Sequence, residues 1–429
     1  MMRRFRKVSL PEALVDFILV MPFLFSLLID LIGLPQMVKY TSDVAWICLL
    51  MCLLVMKKAR TKHQVGKLLS ITFAFFALSL VGFLLHYQSF LFYFWGLRNN
   101  LRFFVYFFAC VFFLRTSGVK RAFKLLDMAF WVNAVVVMYQ YLVMNRTGDY
   151  LGGIFGVERG CNGYLNIFLL IIVTKSLVMC FNGRENNLMC VLKCALVLLI
   201  SALAELKVMF FELAIILVIS MKITKFTWKK VIIAILALLG ILVGMELVAL
   251  LFPAFANWFN LQSIWESLTT DRGYTSSNDM NRLTVLPIAM ERFLPTIWEK
   301  LFGLGLGNCD YASFDFLVTP FYQAYSSLNY TWFSSAILVL ETGIIGLCLY
   351  VLFFVMVYFA VNKRMGATDT VYCQISKILA VMCAVLVIYN ASLRTEAAYM
   401  MYFVLAAPFA VTVKTKEKKN SKKKMRIIA

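Results

Sequence analysis

The sequence predicts an all-α, polytopic integral membrane protein of about twelve transmembrane helices with one large extracytoplasmic loop. Three observations carry this. Apolar residues make up 62% of the 429 and charged residues only 15%, where a soluble domain carries roughly 25% charged. The apolar residues gather into runs close to the roughly 20 residues a helix needs to cross a bilayer. The basic residues lie between those runs, in the alternating pattern that sets membrane orientation.

In chain order, the first run covers 12–33. It follows Arg3, Arg4, Arg6 and Lys7 and imitates a secretory signal, but no small-residue cleavage site follows and Asp16 and Asp30 interrupt it, so it reads as a membrane helix. The next runs are 40–56, which contains Asp43, then 67–86, 98–114, 124–144 and 162–180. Runs 187–203 and 207–222 are separated by Glu205 and Lys207 in a tight turn, and 229–252 is the ninth. After a long gap come 343–361, 371–390 and 394–413. The chain therefore divides into an N-terminal bundle (1–252), a loop (253–342) rich in Asn, Ser, Thr, Asp and Tyr, C-terminal helices (343–413) and a basic tail (414–429). Long ordered loops usually carry function.

With the N-terminus cytoplasmic, all but eleven of the 42 basic residues fall on the inner side, so both termini are expected in the cytoplasm. The eleven outer residues are Arg98, Arg102, Arg146, Arg159, Arg272, Arg282, Arg292, Arg394, Lys39, Lys207 and Lys300. Arginine dominates there, and a guanidinium grips phosphate in two-pronged fashion, whereas lysine suffices at an anionic leaflet.

Composition also excludes functions. His63 and His86 are the only histidines, and the eleven cysteines form no CxxC pair, so neither a three-histidine metal site nor a structural zinc site is expected. No cofactor motif is present. The net charge of +20 sits between apolar segments rather than on one folded face, which speaks for topology and against nucleic acid. Cys48 and Cys52, and Cys190 and Cys194, read as small apolar helix neighbours. Cys161 and Cys309 fall outside, with nothing in the sequence to pair them.

Within the loop, Leu283, Leu286, Met290, Phe293, Ile297 and Leu301 have helical spacing, which predicts an amphipathic helix with Arg282 and Arg292 on its polar side and bends at Pro287 and Pro295. Those arginines meet either lipid headgroups or a substrate. Gly303-Leu-Gly305-Leu-Gly307-Asn308 follows. Such glycines form a plain turn or bring backbone N–H groups close to an anion or sugar.

The order Arg282, Trp298, FGLGLGN and then Glu341-Thr-Gly-Ile-Ile-Gly346 entering a helix resembles the O-antigen polymerase and ligase superfamily of bacterial envelope polysaccharide synthesis. Trp95-Gly-Leu-Arg98-Asn-Asn-Leu-Arg102 and the turn Ala204-Glu-Leu-Lys207 are similar to that group as well. The resemblance implies a metal-independent glycosyltransferase of the bacterial cytoplasmic membrane. Its substrate would be a polyprenyl-diphosphate-linked oligosaccharide used at the outer face, and its partners a flippase and a chain-length regulator. The family keeps a basic residue where Lys207 stands.

Cleaving a sugar from diphosphate develops negative charge that fixed cations must stabilise. Arg282 is the first choice for this, with Lys207, Arg98, Arg102, Arg292 and Arg394 beside it at outer helix ends. Gly305, Gly307, Asn308, Asp310 and Tyr311 are assigned to the acceptor sugar. A base must also take the acceptor's proton. Ligases of this superfamily have a histidine before the ETGIIG-like segment, where this chain has Asn329, Tyr330 and Trp332, so a polymerase is favoured and Glu341 becomes the expected base, followed by Asp310 and Asp315. Glu212 is expected to neutralise Lys207 one turn away. The competing readings are a ligase, and a twelve-helix transporter or flippase of lipid-linked sugars.

Overall fold

A computed structural model describes residues 9–26, 28–29, 32–56, 63–86, 89–224, 280–282, 284–366 and 368–411, with isolated helical positions between 228 and 250. The expected ninth span, the first part of the long loop with Arg272, Trp258, Trp265 and Tyr274, and the basic tail lie wholly or largely outside the described residues. Among those described there is no β-strand, and eleven helices have 13 or more residues.

The helices begin and end where local chemistry allows. α1 (Leu10–Ser26) opens with Pro11 and Glu12 in its first turn, where a missing N–H costs nothing and a carboxylate favours the helix dipole. α2 is Thr41–Val55 and α3 is His63–Leu85. α4 (Phe90–Phe113) starts at the Ser89 hydroxyl, which accepts from the Leu91 N–H. α5 (Thr116–Leu142) and α6 (Asn162–Phe181) follow. Asn186 caps α7 (Asn187–Leu203), and α8 is Lys207–Ile223. The C-terminal part holds α9 (Ser334–Asn362), α10 (Thr370–Tyr389), capped by Asp369, and α11 (Ala398–Ala410).

Among the described residues, six segments can cross a bilayer by length and composition: Met37–Val55, Val65–Leu85, Thr116–Leu142, Asn162–Phe181, Ser334–Asn362 and Thr370–Tyr389. The all-helical membrane character expected from the sequence is thus present, with six rather than twelve qualifying spans among the described residues. The α11 helix has 13 residues, about 20 Å at 1.5 Å per residue, too short for a hydrocarbon core of about 30 Å. It is buried along its whole length and packs against α4, α6 and α10. The α9 helix packs on α3 and α10, so the C-terminal helices interleave with the N-terminal ones in one core.

Three boundaries differ from the sequence reading. The α4 helix begins eight residues before Arg98, which places Arg98 and Arg102 inside the helix rather than at its mouth. The α9 helix begins at Ser334, so Glu341 lies within it, and Gly343 (φ 65°, ψ −174°) interrupts its helical backbone. The expected amphipathic helix is divided into a turn at Val285–Ile288, a wide turn at Ala289–Phe293 and a short helix at Ile297–Phe302. The break precedes Pro295, whose ring disfavours helical backbone at Leu294, and Thr296 starts the second piece with a capping box to Glu299.

Candidate functional site

A cavity of about 800 Å³ opens at one end of the bundle. Its walls come from the turn before α2 (Lys39, Tyr40), the N-terminal half of α4 (Trp95, Arg98, Asn99, Arg102), the first turn of α6 (Tyr164), Ile337 of α9, the turn before α11 (Arg394, Thr395, Glu396), and the connecting segments through Glu158, Arg159, Asp310, Tyr311, Phe314, Tyr322 and Trp332. The α6, α9 and α11 helices all begin here, and helix N-termini carry partial positive charge.

Polar groups tie the walls together. Arg98 donates from Nε (3.1 Å) and Nη2 (2.7 Å) to Asp43 Oδ2 and lies over the rings of Trp95 (4.8 Å) and Tyr40 (5.3 Å). Asn99 donates to Asp310 Oδ2 at 2.7 Å, and Arg394 Nη2 donates to the same oxygen at 2.5 Å. One turn below Arg98, Arg102 pairs with Glu396 at 2.9 Å and donates to the Arg394 carbonyl at 3.0 Å. Glu396 also accepts from the Tyr164 hydroxyl. Its carboxyl lies in the connection between α10 and α11. Burial pushes it up, but Arg102, the Tyr164 hydroxyl and Arg98 outweigh burial and hold it at about 2. Trp95 Nε1 donates to the Tyr311 carbonyl at 3.1 Å, which fixes the loop to α4.

Five cationic side chains line this space against three carboxylates, Glu158, Asp310 and Glu396. Among the described residues, Nε of buried Arg102 and Nη1 of buried Arg394 have no hydrogen-bond partner. At the mouth, Lys39 pairs with Glu158 at 3.7 Å and Arg159 lies 5.8 Å over the Trp332 ring. Asn329, left-handed at φ 53°, makes the turn that delivers Trp332. Arginines and aromatic faces of this kind suit anionic and sugar groups respectively.

The structure brings together Arg98, Arg102, Arg394, Asp310 and Tyr311 from the sequence's candidates. Arg282 and Lys207 stand elsewhere. Arg282 lies over the Tyr389 ring at 4.7 Å, and Lys207 has Glu205, Arg282 and Asp149 as electrostatic neighbours. Arg292, exposed, lies over Phe293. Glu212 is fully buried and accepts from Asn166 of α6 at 2.8 Å, so the expected partnership with Lys207 gives way to a hydrogen bond across helices. Cys161 and Cys309 are both buried and are not joined in a disulfide, and the Cys161 thiol donates to the Asp149 carbonyl at 3.4 Å.

The glycine-rich segment serves packing. A β-carbon on Gly303 would sit 2.4 Å from the Glu341 carbonyl carbon, and one on Gly307 (φ 85°) would sit 2.0 Å from the Phe92 carbonyl oxygen. Leu304 N–H and Gly305 N–H bond to the carbonyls of Leu340 and Glu341, and Asn308 bonds back to the Leu304 carbonyl. Gly305, Gly307 and Asn308 are therefore a wedge between α4 and α9 and lie behind the cavity wall that Asp310 and Tyr311 form. Glu341 is fully buried, accepts from the Cys309 N–H at 3.3 Å and does not line the cavity. Asp315 is exposed and outside it too.

Sequence reasoning missed Asn99, Tyr164 and Glu396. Polar residues inside or beside apolar runs, as in Arg98-Asn-Asn and Arg394-Thr-Glu396, were the available signal. No protein-family model matches the chain, and no curated protein matches it.

Proposed function

We propose that this chain is a polysaccharide polymerase that joins polyprenyl-diphosphate-linked oligosaccharide repeat units at the outer face of the bacterial cytoplasmic membrane, for a capsule, exopolysaccharide or O-antigen. The observation that carries the reading is the cavity in which Arg98, Arg102 and Arg394 meet Asp310, ringed by Trp95, Tyr311, Tyr322 and Trp332. Its volume falls in the range of about 300–1,000 Å³ typical of ligand sites. Every cation in its wall belongs to the set that the distribution of basic residues along the sequence assigns to the outer side.

In this reading the guanidiniums of Arg98, Arg102 and Arg394 hold the donor's diphosphate and stabilise the charge that builds as the glycosidic bond breaks. Of the three carboxylates that line the cavity, Glu158 pairs with Lys39 at the mouth and Glu396 is held by Arg102 and Tyr164, and Asp310 takes the proton of the acceptor hydroxyl. This moves the base from Glu341, which is sealed behind the wall. The aromatic faces of Tyr311 and Trp332, both exposed at the mouth, stack on sugar rings. Arg282 and Lys207 act away from the reacting bond.

The test is a cell lacking the chain, complemented with Arg394→Gln or Asp310→Asn. Accumulation of single lipid-linked repeats with normal protein levels supports polymerisation. Long chains that remain unattached to their lipid acceptor point to a ligase, and repeats trapped on the inner leaflet point to a flippase. Unchanged polymer in both variants overturns the assignment of the site.

A further inference from the structure

Away from the cavity, the corner between α9 and α10 holds two buried cations. Arg364 is 7% exposed and Lys377 is 7% exposed. Neither has a carboxylate within 4.0 Å among the described residues, where Lys175 and Lys193 share Asp127 and Arg184 pairs with Asp369. Lys377 donates to Asn362 Oδ1 at 2.9 Å and lies 4.7 Å over the Tyr358 ring. The Arg364 guanidinium lies 5.3 Å over the Phe409 ring, and its Nε and Nη1 have no hydrogen-bond partner among the described residues.

The two side chains belong to one structural corner. Lys377 reaches across to Asn362 and to Met365 Sδ (4.0 Å), two before and one after Arg364 in sequence, and both cations act electrostatically on the buried Cys373 thiol. The carboxylate closest in sequence, Asp369, is committed: one oxygen takes Arg184 at 2.6 Å and the other caps α10 at the Val371 N–H. Burial lowers the Arg364 pKa, and what opposes it is the Cys373 thiol rather than a carboxylate.

Burying like charges without a counter-ion is costly, and cations remain buried when paired or bound to an anion. The carbonyl end of α9 favours positive charge there, but a helix dipole is a weaker influence than the dehydration of two ions. Guanidinium and ammonium together suit a phosphate group, the first as a fork and the second as a point charge. Phe409, under Arg364, is close in sequence to the basic tail that starts at Lys414, so an anionic surface would serve both.

We infer that Arg364 and Lys377 form a phosphate-binding site at the α9–α10 corner, taking the phosphate of a membrane phospholipid headgroup or free phosphate. The site does not depend on the polymerase reading. The full chain, purified in detergent, is analysed by native mass spectrometry for retained phospholipid. Its melting temperature is then measured after delipidation, with phosphatidylglycerol or inorganic phosphate added back. The inference expects retained phospholipid, or a melting temperature that rises with either anion. Arg364→Gln/Lys377→Gln should weaken the response roughly tenfold, as expected for loss of charge-assisted bonds, and Arg364→Lys, which keeps the charge but not the fork, should weaken it by less than the double variant. A response to phosphatidylglycerol alone assigns a lipid headgroup, and one to inorganic phosphate alone assigns the free ion. No retained lipid and no response to either anion in the wild-type chain overturns the inference, as does an equal response in the double variant. The wild-type measurement decides the matter even if the double variant fails to fold.

Discussion

Gly96 of α4 and Gly307 of the glycine-rich segment meet backbone to backbone: a β-carbon on Gly96 would lie 2.4 Å from the Gly307 nitrogen. Both neighbours are main chain, so neither can swing aside. Gly96→Ala and Gly307→Ala should each destabilise the chain by about 1–3 kcal/mol through overpacking, with Gly307→Ala worse because its φ of 85° also strains an L-residue. The loop bearing Asp310 would shift with them. Thermal unfolding in detergent checks this, and a melting temperature equal to wild type in both variants would show that the contact yields without cost.

Asp310 accepts from Asn99 and Arg394 through one oxygen. Asp310→Asn keeps the shape of the side chain but removes the charge and the proton acceptor. Polymer yield per folded protein should fall by roughly 100-fold or more, the contribution of a general base, beyond any loss of folded protein from leaving buried Arg394 without its carboxylate. Arg394→Lys should also lose activity, since an ammonium cannot reproduce the planar fork. Polymer ladders on gels, normalised to membrane protein, measure both. Full activity in Asp310→Asn would remove it from the chemistry.

How far the sequence spoke follows from the separation of partners. Helical segments are local, so apolar run length found most of them. The α4 start was misplaced because Arg98-Asn-Asn looks like a membrane boundary. Those residues are instead held inside by Asp43 and Asp310, at separations of 55 and 211 residues that no local pattern reports. Arg98 and Arg394 were legible as cations at outer helix ends, and Asp310 and Tyr311 as polar loop residues that follow the glycines. Their convergence was not, nor was Glu396, whose partners Arg102 and Tyr164 lie 294 and 232 residues away. The glycines read as a plain turn or as a way to bring backbone N–H groups to an anion or sugar, and what approaches them in the structure is another stretch of chain.

The Arg102–Glu396 pair has a signature in acid. Glu396 is held at about 2, below the ordinary 4.5, because Arg102, the Tyr164 hydroxyl and Arg98 together outweigh burial. A carboxyl with a depressed folded-state pKa contributes stability that is full above its unfolded value and is lost as pH falls through the folded one. The melting temperature should therefore fall between about pH 4.5 and 2, and Glu396→Gln should remove that share of the slope. At neutral pH, Glu396→Gln or Arg102→Gln should cost about 3–5 kcal/mol, because the remaining charge stays buried. Identical slopes for wild type and Glu396→Gln would show that the pair does not govern acid stability.

Glu341 provides the sharpest contrast between a structural and a catalytic carboxylate. It is fully buried in α9, and its Oε1 accepts the Cys309 N–H next to Asp310 while Oε2 has no hydrogen-bond partner among the described residues. An amide can accept the same N–H through its carbonyl oxygen, so Glu341→Gln keeps the bond that holds the loop and removes a buried ionisable group. Polymer yield in Glu341→Gln should stay close to wild type. Glu341→Ala leaves the Cys309 N–H unsatisfied and should cost about 1–3 kcal/mol of stability, with activity falling only as the folded fraction falls. A general base behaves otherwise: the isosteric amide would be as inactive as the alanine variant, by roughly 100-fold or more, at unchanged stability. Measuring melting temperature and polymer yield for the two variants side by side separates these cases, and an inactive but stable Glu341→Gln would return the base to α9.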